Sequence, residues 1–71
     1  MVRPTKVSNS IRATREAAGM TQADLARRLG VTRQTLIAIE QGKYSPTLEL
    51  AFQISRVFDV GLDDLFQYPE D

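Results

Sequence analysis

Cysteine and histidine are both absent from this chain. Without thiols there is neither a disulfide nor a thiolate zinc site, and without imidazole the usual general base near neutral pH and the commonest transition-metal ligand are missing as well. The usual catalytic nucleophile goes with them, so the composition argues against an enzyme and indicates no metal or cofactor. No apolar run exceeds four residues, and no hydrophobic signal core follows Met1. Membrane insertion and secretion are therefore not expected, and the cytoplasm is the expected location. A chain of 71 residues reads as one small domain, 1–71 with a core at 8–66, and a domain of that size buries only about 60% of the surface its unfolded chain exposes. Support from a second copy of itself is expected on that ground. Little room is left for a dedicated pocket of a few hundred Å³, so no small-molecule ligand is indicated. What remains is ample for folding, because 42% of residues are apolar and 25% charged.

The net charge of zero hides an asymmetry. Residues 1–43 hold eight basic side chains (Arg3, Lys6, Arg12, Arg15, Arg27, Arg28, Arg33, Lys43) against three acidic ones, and residues 44–71 hold one basic against six acidic. A basic half of this kind fits a polyanion such as nucleic acid, with the acidic half turned away from it. Chance clustering on a small domain produces the same count, and charge alone leaves both readings standing.

Glycine and proline are few, four and three, and every one falls between stretches with helical patterning. Ser8 or Asn9 is placed to cap a first helix that runs to about Ala18 and is ended by Gly19. Thr21 with Asp24 reads as a capping box for a helix over Gln22 to Leu29, closed by Gly30. Thr32 caps a third helix from Arg33 to Gln41 before Gly42, and Thr47 a fourth that reaches Phe58. A short fifth, Leu62 to Phe66, follows Gly61. No β-branched alternation is long enough for a central strand, so the fold is expected to be all-α, with room for short strands only at the ends.

Wound at 3.6 residues per turn, the fourth helix carries Leu48, Leu50, Ala51, Phe52, Ile54, Val57 and Phe58 and reads as largely buried. The first helix turns Ile11, Thr14, Arg15 and Ala18 inward. The third buries Leu36 and Ile39 and leaves an opposite face of Gln34, Ile37, Ala38 and Gln41, with Arg33 in its first turn. That face contains no acid, which a solvated helix face normally would.

The helices over Gln22 to Gln41 meet with small Ala26, Gly30 and Val31 between them, which resembles a helix-turn-helix. The longer string Met20-Thr21-Gln22-Ala23-Asp24-Leu25-Ala26 through Ile39-Glu40-Gln41-Gly42-Lys43-Tyr44-Ser45-Pro46 resembles the Cro and phage-repressor (Xre) family over roughly residues 10–66, and most of all its short stand-alone repressors. The resemblance implies a five-helix, lambda-repressor-like domain that regulates transcription from duplex DNA, with the third helix in the major groove and Arg33, Gln34 and Ala38 facing base edges. Arg33 has the donors for guanine O6 and N7, Gln34 the amide for adenine N6 and N7, and Ile37 and Ala38 the apolar surface for thymine methyls. Ile37 also fits an aliphatic residue at the edge of the core.

Phosphate contacts are expected from Gln22, which matches the family position that clamps the backbone, and from Thr32, Thr35, Gln41, Lys43, Tyr44 and Ser45. Simple solvation of Lys43, or packing of Tyr44 under the loop, are the alternatives. The resemblance pairs Arg15 with Glu40 as a buried structural ion pair. It also implies a short strand near Thr5 to Val7 paired with one near Phe66 to Tyr68. Small size, the hydrophobic tail and the resemblance together predict a homodimer through Leu62, Leu65, Phe66 and Tyr68 on a near-palindromic operator. Two rival functions share the fold: an antitoxin or other module that mainly binds protein, and a controller of a restriction and modification operon.

Overall fold

Three threonines set the helix starts. In the computed structural model, which describes residues 5–43 and 45–69, Thr21, Thr32 and Thr47 each accept a hydrogen bond from the backbone N–H three residues on, at 3.0, 3.1 and 3.1 Å. Each satisfies a donor that the first helical turn leaves without a partner. At Thr21 the bond is reciprocated, since its own N–H donates to Asp24 Oδ2 at 3.2 Å. These caps start α2 (Gln22–Leu29), α3 (Arg33–Glu40) and α4 (Leu48–Phe58), preceded by β1 (Ser8–Asn9) and α1 (Ile11–Ala17) and followed by α5 (Leu62–Leu65) and β2 (Phe66–Gln67). Gly30, at φ 72°, ends α2 in the left-handed conformation that other L-residues adopt only with strain.

Each of the five helices sends at least one side chain into a common centre. Ile11, Leu25, Leu36, Ile39, Ile54 and Leu65 are all completely buried, a contribution of about 1.5 to 3 kcal/mol for each. Met20, Val31, Leu50, Val57, Phe58, Val60 and Phe66 pack around them. α2 lies against both α3 and α4, which ties these short helices into the domain.

Several local expectations are corrected. Ser8 and Asn9 form a strand, and the capping position of α1 is Ser10, whose hydroxyl donates to the Asp64 carbonyl at 2.9 Å; the Asn9 side chain still satisfies the first N–H of the helix, since Ile11 N–H donates to Asn9 Oδ1 at 3.2 Å. The strand pair is antiparallel, Ser8 opposite Gln67 and Asn9 opposite Phe66, and begins later than Thr5 to Val7. The reason is local: Thr5 Oγ1 accepts from Val7 N–H at 3.1 Å, which commits those residues to a side-chain turn. Phe66 is already extended, at φ −122° and ψ 137°, so α5 stops at Leu65, and α3 stops at Glu40 with Gln41 as its cap. Ala18 is exposed, because α1 ends at Ala17 and the chain leaves through Gly19, where Met20 N–H returns to the Arg15 carbonyl at 3.0 Å.

The fourth helix is less buried than its composition suggests. Leu48 and Phe52, one turn apart, are 68% and 48% exposed. Only Ala51, Ile54 and Ser55 are sealed, since the core takes one stripe of the helix and its apolar side chains occupy more than one. No helix among the described residues is long and apolar enough to cross a membrane.

Candidate nucleic-acid interface

Everything about the α2–α3 turn brings two short helices close and then releases the outer side of the second. Ala26, 3% exposed, lets the backbones approach, and Val31 N–H returns to the Ala26 carbonyl at 3.1 Å while its side chain packs on the core. On α3, Leu36 and Ile39 anchor the inner side. Arg33 and Gln34 stand exposed in the first turn, Ile37 and Ala38 are half-buried one turn on, and Gln41 is exposed at the end. These positions share one side of the helix at 100° per residue, and none is acidic.

Hydroxyls and a cation flank this face. Thr32 and Thr35 lie at its start with their Oγ1 atoms 2.9 Å apart. Lys43 is exposed beyond its end, positioned by its own N–H donating to the Ala38 carbonyl at 3.0 Å after Gly42 turns left-handed at φ 75°. Ser45 is exposed and lines an apolar groove. Tyr44 falls outside the described residues.

Behind the face lies a polar cluster that joins three helices. The Arg15 guanidinium grips the Glu40 carboxylate with Nε at 2.8 Å and Nη2 at 3.2 Å, and its Nη1 donates to the Met20 carbonyl at 2.9 Å. Their side chains are 8% and 3% exposed. The hydrogen bonds that Arg15 donates to Glu40 hold its pKa above the ordinary value, against the opposing pull of burial. Gln22 completes the cluster. Its Nε2 donates to Glu40 Oε1 at 3.2 Å and its Oε1 accepts from Arg33 Nη2 at 3.4 Å, so Gln22 is committed on both sides within the protein. That double engagement was not legible in the sequence, since its partners lie 18 and 11 residues away.

The residues expected at a dimer contact divide. Leu65 is completely buried in this chain's own core and offers no surface, whereas Leu62 and Phe66 are half-buried and Tyr68 is 69% exposed. Leu48 and Phe52 were missed, and they add the largest apolar exposure on α4. Between Val7, Pro46, Leu48, Ala51, Leu62 and Phe66 runs an open groove of about 290 Å³. It is larger than the small domain size suggested, because α4, α5, β2 and two connecting segments meet there without closing. No group of three or more Asp or Glu among the described residues is placed to hold a metal.

Comparison with known proteins converges on one family. The family model described as Helix-turn-helix matches residues 11–65, from the first residue of α1 to the last of α5. An uncharacterized HTH-type transcriptional regulator of Methanocaldococcus jannaschii is 49% identical over 92% of this chain and 98% of its own length. A second, from Methanothermobacter thermautotrophicus, is 50% identical over 86% of this chain and 90% of its own length. A crystal structure of a Bacteroides fragilis protein superposes with a TM-score of 0.78 over 86% of this chain and 98% of that one; at 20% identity the likeness is one of fold.

Proposed function

The chain belongs to the Helix-turn-helix family, of the Xre and Cro/C1 type, and from that premise we propose that it is a repressor that binds a near-palindromic operator sequence-specifically as a homodimer. It is a DNA-binding transcriptional regulator and not an enzyme. The observation that carries the finer reading is the outer face of α3, where Arg33, Gln34, Ile37, Ala38 and Gln41 gather without a single acid. Arg33 would donate to guanine O6 and N7, Gln34 would bridge adenine N6 and N7, and Ile37 and Ala38 would cover thymine methyls. Thr32, Thr35, Gln41, Lys43 and Ser45 supply phosphate contacts, which hold register without choosing sequence. Gln22 retains one Nε2 hydrogen for the same purpose, and Tyr44 belongs to this group by its place after Lys43.

The dimer forms through Leu62, Phe66 and Tyr68 together with Leu48 and Phe52, while Leu65 supports that surface from within. One patch that holds both a groove and projecting side chains meets the requirement of a two-fold contact, in which each copy offers the same surface. The two α3 helices then enter successive major grooves about 34 Å apart. Repression follows from occupancy of the operator, in the cytoplasm. Selection of sites from a random duplex pool, followed by sedimentation on the winner, tests this. Two inverted half-sites one turn apart with two chains bound are expected; an unpaired site, or no enrichment, overturns it.

A further inference from the structure

Asn9 belongs to β1, yet its side chain ends on α3. The amide Nδ2 donates to the Ile39 carbonyl at 2.8 Å, and Oδ1 accepts from the Ile11 N–H at 3.2 Å. Both ends of the amide are used, and in one orientation only, because turning it over would set oxygen against a carbonyl and N–H against N–H. Ile39 is completely buried and lies in the last turn of α3, where its carbonyl also accepts from the Gly42 N–H at 3.0 Å. From that turn the chain leaves for Lys43. Arg15 and Gln22 hold this end of α3 through a side chain, that of Glu40, whereas Asn9 holds its backbone. The main chain around Asn9 is tied the other way. Asn9 stands opposite Phe66 in the strand pair, and the next residue, Ser10, donates from its N–H to the Leu65 carbonyl and from its hydroxyl to the Asp64 carbonyl, both at 2.9 Å. A single residue thus joins the DNA-facing helix to α5 and β2, the elements that carry Leu62 and Phe66.

We infer that Asn9 is a positioning residue for operator spacing: by fixing the end of α3 against the strand pair, it sets where each α3 stands relative to the two-fold contact, and so which separation of half-sites the dimer accepts. The inference rests on the reading of Leu62, Phe66 and their neighbours as that contact and of α3 as the reader of bases. In a symmetric dimer the path from contact to α3 occurs twice, once in each chain, so any looseness in it is doubled at the operator. One base pair added between half-sites moves them apart by about 3.4 Å and turns them by about a tenth of a turn. A rigid dimer loses contacts on such a site. A loosened one follows the site, and binds its proper spacing less tightly because it must be ordered as it binds. Asn9 then governs spacing without touching DNA. Aspartate in its place keeps the acceptor for Ile11 and lacks the donor for Ile39, so that substitution cuts the bond to α3 and spares the one to α1.

The test compares wild type with Asn9→Asp on the selected operator, on the same half-sites set one base pair closer or further apart, and on an isolated half-site, with sedimentation to count the chains. Aspartate retains the bond to the first N–H of α1 and should leave the chain folded; Asn9→Ala takes its place if the urea midpoint shows that the aspartate variant is not folded. Wild type should prefer the selected spacing. In the variant that preference should shrink about three- to ten-fold, the range of one modest hydrogen bond. The shrinkage should come from weaker binding at the selected spacing, while the isolated half-site is bound within about two-fold of wild type and the dimer persists. A preference for spacing as sharp as that of wild type overturns the inference, whatever the loss of affinity. Equal losses on the half-site and the operator overturn it too, since they place the effect of Asn9 in α3 alone, and a variant that sediments as a monomer overturns it by placing the effect in the contact. Wild type that shows no preference among spacings, or binds as one chain, overturns the dimeric reading itself and the inference with it, so the wild-type arm tells the two failures apart.

Discussion

Removing one partner of the Arg15–Glu40 pair should nearly unfold the domain, and removing both should not. Arg15→Met strips Glu40 of two of the three bonds its carboxylate accepts and leaves a charge on a side chain only 3% exposed, with Gln22 alone beside it. Glu40→Met leaves a guanidinium whose remaining bond is to the Met20 carbonyl at 2.9 Å. Breaking a buried pair from one side costs about 3 to 5 kcal/mol. A 71-residue domain has roughly 4 to 10 kcal/mol of stability in total, so either single variant leaves a marginal protein. The double variant strands no charge. What it forfeits is the bond to the Met20 carbonyl and the bond from Gln22, about 1 to 2 kcal/mol each, while two methionines of similar volume keep the space filled. Urea denaturation of all four proteins should give a coupling of about 3 kcal/mol or more. Additive losses would refute the reasoning, since they would mean that each side chain stabilises the fold independently of the other.

Arg33→Ala should cost about 1 to 3 kcal/mol per half-site on the selected operator and leave random duplex close to wild type, whereas Lys43→Ala should weaken all duplexes alike and flatten the salt dependence by about one unit per lost phosphate contact; affinities measured over a salt series separate the two. Phe52→Glu places a charge on an exposed position of α4, so the chain should stay folded but sediment as a monomer, and affinity for the palindromic operator should drop at least about ten-fold while a single half-site binds as before. Asp24 has its pKa held below the usual aspartate value, first by the backbone N–H of Thr21 and then by the Thr21 hydroxyl. A depressed folded-state pKa contributes stability above the unfolded value near 3.9 and loses it as pH falls through the folded value. The thermal midpoint of wild type should therefore exceed that of Asp24→Asn at pH 7, and the difference should vanish as pH falls below the ordinary carboxylate range.

Where the chain marks its own boundaries with side chains, the sequence was readable. Thr21, Thr32 and Thr47 cap what they were expected to cap, and Gly30 ends α2 where expected, because a hydroxyl or a left-handed glycine acts within three residues of the helix end. The acid-free face of α3 was legible for the same reason, as one helix displays it. What escaped depends on distant partners. A two-residue strand has no alternation to show, and its register comes from Ser10 N–H reaching the Leu65 carbonyl at 2.9 Å across the chain. The exposure of Leu48 and Phe52 reflects an α4 with more apolar side chains than one core-facing stripe can hold. The surrender of Leu65 to the core is a packing outcome of the same kind. The bridge from Glu40 through Gln22 to Arg33 exists only once three helices have met.

A nitrogen and proton NMR titration of the intact chain with its selected operator tests the central claim, that the outer face of α3 reads the duplex. The account predicts that the largest amide shifts lie over Thr32 to Lys43, with the Gln22 and Arg33 side-chain resonances moving among them and α4 nearly still. Shifts gathered instead around Leu48, Phe52 and Leu62, with α3 unmoved, would contradict it.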